Sequence, residues 1–222
     1  MNIFKNISNF FNKISNDSYS KYINNEIISK HKEIIGKDNL RILIDRFNSP
    51  NFMFNDIRWN QVLTTRSTAF FGTGIGNSSV SVVYRLIDSE KKIFSVNNTG
   101  LGENFEPKGV KGTTIARNKD VPTCRIVSFE SLGFDGDYWI LYVSKDYQTI
   151  LVASPLFIPE TAILVSPNFG CYILTHKTHT DFWNDTKGVE EIRDVAKNFG
   201  YDNFFNKPLA SAESLRLIYT NS

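Results

Sequence analysis

The stretch from Asp135 to Ser154 constrains this chain most. Two runs rich in β-branched and aromatic residues, Tyr138–Val143 and Thr149–Ala153, flank Ser144, Lys145, Asp146 and Tyr147. Short runs of that composition, parted by a polar tetrad, predict the two strands of a β-hairpin. Both runs are apolar at successive positions, so each strand must hide both faces. Such strands sit in a closed barrel or a sandwich, with a core inside and a helix or second sheet outside.

The 222 residues suffice for one domain with a full core plus an extension, or for two small domains. Hydrophobic residues at 41% and charged residues at 22% are ordinary for a globular chain. The 14% of aromatics, 18 Phe among them, suits an interior lined by rings or any dense core. A net charge of +2, with no Lys/Arg stripe interleaved with aromatics, argues against nucleic acid as a partner. No run has the length of a transmembrane helix, and the N-terminus lacks the apolar core and cleavage site of a secretory signal. The expected location is therefore cytoplasmic or otherwise intracellular.

Apolar residues at Ile3, Phe4, Ile7, Phe10, Phe11 and Ile14 form a helical stripe over residues 1–15. This stripe suits either peripheral membrane contact or packing on the rest of the chain or on a partner. A second helical region runs from Ser20 to Arg46, with Gly36 expected to end one helix and Asp38 to cap the next. Residues 1–50 thus read as a helical N-terminal extension, and residues 51–222 as the β-rich domain. Strands are expected near Trp59–Phe71, Val80–Asp88, Lys92–Asn97, Gly109–Arg117, Arg125–Glu130, Tyr138–Val143, Thr149–Ser154 and Cys171–His176. Short turns at one end and long connectors at the other predict a closed floor and an open mouth. The connector Pro155–Gly170 is long and apolar, which suits a lid or contact surface, or else an extra hairpin through Ala162–Val165. A last helix is expected over Lys187–Phe199, stopped by Gly200, and Leu215–Tyr219 reads as a weak edge strand.

Asp146-Tyr147, followed by Thr149-Ile150-Leu151-Val152-Ala153, resembles the second signature motif of the lipocalins. Arg58-Trp59 resembles the first, with Ile57 where the family has Gly. Tyr172-Ile173-Leu174-Thr175-His176 resembles the third, with His176 where the family usually has Arg. The likeness covers roughly residues 55–209 and is nearest in character to the bacterial outer-membrane type. It implies a mainly β fold: an eight-stranded antiparallel up-and-down barrel with a C-terminal helix packed outside. In the family the third-motif Arg packs across the Trp at the closed end. His176 is expected to cover Trp59 here, less well than a planar guanidinium. In such a barrel Cys124 would begin the fifth strand and Cys171 the eighth, at opposite ends, so two free thiols are expected.

Carrying the family's register over implies that Tyr138, Ile140, Leu151, Ala153, Tyr172 and Leu174 face the lumen. Val82, Tyr84, Ser95 and Leu63 join them as ligand-binding candidates. A mostly apolar wall with a few hydroxyls suits an acyl chain, a sterol or an isoprenoid, and equally suits a barrel filled by its own side chains. The resemblance thus implies binding, and carrying or sequestering, of a small hydrophobic ligand of fatty acid, lysolipid, sterol or isoprenoid class, with no cofactor. One alternative is an interaction scaffold built on the N-terminal helices and the 155–170 connector. A second is a lipocalin-like isomerase acting on an unsaturated lipid.

Other chemistry is thinly represented. His176 and His179, with Asp181 and Asp185 nearby, lack the geometry of a metal site. Gly72-Thr-Gly-Ile-Gly76 follows a strand, but no helix with Lys-Ser/Thr follows it, so it reads as a mouth loop rather than a phosphate cradle. There is no Gly-x-Ser-x-Gly nucleophile elbow. Cys171 should point away from the lumen, and no base lies near either thiol to activate it. No catalytic residue is assigned.

Overall fold

The computed structural model describes residues 17–64, 78–89, 92–101, 107–129, 134–158 and 163–201. The stripe over residues 1–15, the Gly72–Gly76 loop and the Leu215–Tyr219 strand lie outside the described residues. Two helices come first, α1 (Asp17–Ile35) and α2 (Lys37–Phe47). Eight strands follow: β1 (Arg58–Thr64), β2 (Ser78–Asp88), β3 (Ile93–Leu101), β4 (Pro107–Ala116), β5 (Cys124–Phe129), β6 (Phe134–Val143), β7 (Thr149–Ile158) and β8 (Ile163–Thr175). A short helix α3 (His179–Asn184) and a longer α4 (Thr186–Asn198) follow the barrel.

Every strand pairs antiparallel with its neighbour in sequence, and β1 pairs with β8, so the sheet is a closed barrel without edges. The fold is mainly β, as the doubly apolar hairpin requires. Outside the barrel, His31 of α1 lies edge-on to Trp139 of β6 at 5.3 Å. The Arg46 guanidinium of α2 donates to the Val143 carbonyl at 2.6 Å. Tyr142 of β6 donates to Glu191 of α4 at 2.5 Å. One continuous apolar cluster joins helices and barrel.

Gly36 does both jobs that the sequence divides between Gly36 and Asp38. Its φ of +78° breaks α1, and it also stands as the N-cap of α2, so Asp38 falls in the first turn instead. At the other end Gly200, at φ +81°, closes α4 with the expected Schellman pattern. Its N–H donates to Lys197, and the Tyr201 N–H donates to Ala196. Asp185 caps the start of α4 by accepting from Gly188 N–H at 3.0 Å.

The 155–170 connector is not a long loop. β7 continues to Ile158 and β8 begins at Ile163, paired down to Ile158↔Ile163, so only residues 159–162 link them. The hairpin alternative therefore holds. Pro155 and Pro167 sit in the segments where the pairing register shifts, which is where a strand tolerates a missing N–H. The β3–β4 and β5–β6 links shrink in the same way, to residues 102–106 and 130–133. The expected contrast of short turns below and long loops above survives chiefly in the β1–β2 link, residues 65–77.

Candidate functional site: the barrel interior

The Tyr84 and Tyr138 hydroxyls hydrogen-bond to each other. They come from β2 and β6, which are not neighbours in the sheet, so the contact crosses the interior. Tyr172 of β8 joins them, its ring 5.8 Å from that of Tyr138. Residues directly opposite on paired strands share a face, as do residues two apart on one strand. The register therefore carries the interior face from these tyrosines around the barrel.

Of the ten lumen candidates, Val82, Tyr84, Tyr138, Ile140, Tyr172 and Leu174 lie on that face. Four do not. Ser95 pairs with Arg85, whose side chain reaches out to Asp56 at 2.7 Å, so Ser95 faces outward. Ala153 pairs with both Trp139 and Cys171, on the outer face under the helices. Leu151 pairs with Tyr142, whose hydroxyl meets α4, and with Ile173. Leu63 pairs with Ile173 as well, because an extra residue between Gln61 and Leu63 shifts the β1 register. A second irregularity, between Ile140 and Tyr142, reverses the sides of β6. Such bulges flip every side chain beyond them, and period-two reasoning cannot see them.

The closed end is packed with rings. The segment leaving α2 passes under the barrel and inserts Phe52 and Phe54. Phe54 stacks on Tyr84 at 4.0 Å and meets Phe94 edge-on at 5.0 Å. Trp59, fully buried, touches Phe52 at 5.8 Å and Phe54 at 6.3 Å. His176 covers the other side of Trp59 at 3.6 Å and holds the Arg58 carbonyl through Nδ1 at 3.1 Å. Burial lowers the His176 pKa, so this contact is made by a neutral ring at pH 7. Asp146 anchors its turn to Lys177 at 3.1 Å, and Lys177 also holds Asp185 at 2.6 Å. The turn's Tyr147 takes a positive φ of 61° and packs partly buried against the core.

Arg125 also belongs to this floor, and its importance is not evident from the sequence. It pairs with Tyr138 and so points inward, with 0% exposure. Its guanidinium donates to the Thr114 hydroxyl and to the carbonyls of Thr114, Pro122 and Lys92. It lies 5.1 Å from the Phe94 ring. Burial pushes its pKa down to about 10. A charged residue at an inward register position among Cys124, Ile126 and Val127 was the available signal.

Above the floor the interior changes character at one level. On β2 to β8 the residues Val82, Val96, Thr114, Val127, Tyr138, Val152 and Leu174 are buried. Two residues further toward the mouth on the same strands stand Val80, Asn98, Gly112, Phe129, Gly136, Ser154 and Tyr172, all on the interior face and all partly exposed. Buried side chains thus give way to partly exposed ones along one ring. At that boundary Tyr172 packs against Tyr138, and Ser154 stands on the same face. Burial holds all the tyrosines of this group protonated, with pKa values above the usual phenol range.

The outer face carries the thiols. Cys124, Trp139, Ala153 and Cys171 form one pairing row across four strands. Both thiols are free and buried, and burial drives their pKa values up. Cys171 lies within β8 rather than at its start, so the two are not at opposite ends. Three strand spacings of about 4.8 Å separate them instead, roughly 14 Å, well beyond disulfide reach. Among the described residues no group of three or more His, Cys, Asp and Glu is placed to hold a metal ion, and no helix is long and apolar enough to cross a membrane.

A closed, eight-stranded, up-and-down antiparallel barrel with helices packed outside and an N-terminal segment plugging one end is the lipocalin fold. Solved structures agree. Apocrustacyanin C2 matches with a TM-score of 0.50 at 15% identity, over 72% of this chain and 79% of that chain. Apocrustacyanin C1 matches with a TM-score of 0.50 at 15% identity, over 72% and 78% respectively. Crustacyanins are lipocalins. No family model matches the chain, and no curated protein sequence matches it.

Proposed function

We propose that this protein binds, and carries or sequesters, a small hydrophobic ligand in the upper half of its barrel. The observation that carries the reading is the common level at which interior side chains pass from buried to partly exposed on β2 to β8. A barrel filled by its own residues would stay buried up to the mouth. The partly exposed Phe129 and Val80 would give the ligand an apolar wall, and Tyr172, Ser154 and Asn98 a few polar points. Ligands of fatty acid, lysolipid, sterol or isoprenoid class fit that chemistry. Each CH₂ moved from water into such a wall contributes about 0.8 kcal/mol, so a long acyl chain reaches micromolar affinity after ordering costs.

Of the original candidates, Val82, Tyr84, Tyr138, Ile140, Tyr172 and Leu174 keep a role in or beneath the site. Leu63, Ser95, Leu151 and Ala153 support the wall from outside. Helices α1 and α2 cover part of the barrel's outside, and Phe52 and Phe54, which follow them, plug its floor. Binding is favoured over catalysis, since both thiols are buried on the outer face with raised pKa values.

The test is native mass spectrometry of the purified protein with solvent extraction, followed by uptake of a fluorescent fatty acid. A bound lipid of defined mass, or saturable uptake, supports the reading. A protein that arrives empty and takes up nothing overturns it in favour of an interaction scaffold.

A further inference from the structure

Helix α1 packs through one stripe of its surface. Ile27, Ile28, His31 and Ile35 are all buried, and Ile34 is partly buried beside them. His31 is the polar member of this stripe and stands at its centre, with 0% exposure. Its ring meets Trp139 of β6 edge-on at 5.3 Å. Neither ring nitrogen has a hydrogen-bond partner. A neutral imidazole tolerates such a place. An imidazolium would bring into it a full charge and two N–H donors without an acceptor.

The groups around His31 do not compensate that charge. On its own helix Lys32 adjoins it with the same sign, and Glu33 is engaged by Lys30 at 2.9 Å. On the barrel, Trp139 is flanked in its row by Cys124 and Ala153, and burial keeps the Cys124 thiol protonated. Asp137, two residues before Trp139 on the same face of β6, is already held by Arg117 at 2.9 Å. The charge that α2 turns to the barrel is Arg46, again positive. Arg46 fastens α2 through the Val143 carbonyl, and Glu191 fastens α4 through Tyr142. The packing stripe of α1 instead has a titratable ring at its centre.

We propose that His31 is an acid-sensitive latch, whose protonation frees α1 from the outside of the barrel and uncovers Trp139 while the barrel itself stays closed. The eight strands close on one another, so their pairing does not depend on α1. Gly36, at φ +78°, interrupts the helix between α1 and α2 and supplies the hinge, while Arg46 keeps α2 in place. Burial keeps the docked ring neutral to far lower pH, whereas a released ring titrates near about 6.5. Acid therefore favours release. The release equilibrium should rise about 25-fold from pH 7 to pH 5.

The experiment is amide hydrogen exchange of the full chain at pH 7 and pH 5, corrected for the intrinsic exchange rate at each pH. It compares residues 27–35 of α1 with residues 149–154 and 171–175 of β7 and β8. The helix amides should be less protected than the strand amides at both values, because α1 opens without the barrel. Their protection should fall about 25-fold between pH 7 and pH 5. His31→Phe should remove that fall, and His31→Lys should show at pH 7 the low protection that the native chain reaches only in acid. Should His31→Lys fail to fold, the native chain and His31→Phe decide. Equal protection of helix and strand amides would mean that α1 opens only when the whole chain unfolds, and overturns the latch. A helix protection that holds from pH 7 to pH 5, or a fall that persists in His31→Phe, overturns it as well.

Discussion

His176 lies 3.6 Å from Trp59, centroid to centroid, and forms the lower closure of the barrel as a neutral imidazole. The indole is fully buried between this ring and Phe52 and Phe54. Trp59→Ala should therefore cost about 3–5 kcal/mol in denaturant unfolding, the range for a large aromatic lost from a core. His176→Arg should keep the fold and raise the thermal midpoint, since a planar guanidinium over an indole face adds about 0.5–2 kcal/mol. A Trp59→Ala loss of only a few tenths would refute its placement at the floor.

His31 sets an acid limit on stability. It is fully buried against Trp139, and burial pushes its pKa down to about 3. The unfolded chain takes up a proton near pH 6.5, whereas the folded chain does not until far lower pH. Stability from this group is thus complete above pH 6.5 and falls as pH drops toward 3, by about 1.4 kcal/mol per pH unit. His176 and His179 are shifted in the same direction and add to the slope. Urea midpoints from pH 7 to pH 4 check this, and His31→Leu should flatten the dependence. An unchanged slope in that variant would exclude His31 as its source.

Arg117 and Asp137 make the one ion pair among the described residues whose two side chains are both nearly buried, at 2.9 Å with 8% and 11% exposure. Burial raises the Asp137 pKa, while Arg117 and the Trp139 indole N–H pull it back. Removing one partner strands the other charge. Asp137→Leu alone should cost about 3–5 kcal/mol, and adding Arg117→Met should recover much of it. A double variant no better than the single one would show that packing, not the stranded charge, sets the cost.

Cys124 and Cys171 should be silent toward a thiol reagent in the native protein and react together on unfolding. Both are buried with raised pKa values, and thiolate is the reactive form. No intramolecular disulfide should form under oxidation while the barrel is intact. Rapid native labelling of Cys171 would contradict its full burial on β8.

Composition alone predicts a closed barrel or a sandwich, and the motif resemblance chooses between them. Strands apolar on both faces, punctuated by turn residues, admit few architectures, and three ordered motifs identified this one. The C-terminal helix was equally legible, because its stripe and Gly200 are local signals. Half-legible was the interior. Tyr138, Ile140, Tyr172 and Leu174 alternate cleanly and came out on one face, whereas Leu151, Ala153, Leu63 and Ser95 were assigned to the wrong side. A strand's face depends on register with its partner: the bulges at Gln61–Leu63 and Ile140–Tyr142 turn Leu63, Leu151 and Ala153 outward, and the pairing of Ser95 with Arg85 does the same for Ser95.

Local chemistry by itself determined where strands and helices form, which turns close them, and that the sheet needs cover on its outer surface. Only the closed structure decided which neighbours each side chain meets. It made Pro155–Gly170 a hairpin by letting β7 and β8 pair past their prolines. It made Arg125, which opens one of the expected strands, the buried charge of the floor. It also set the level at which packing stops. Burial and partnership are properties of strands brought together from distant parts of the chain, and a single strand's sequence carries no record of what stands across the barrel from it.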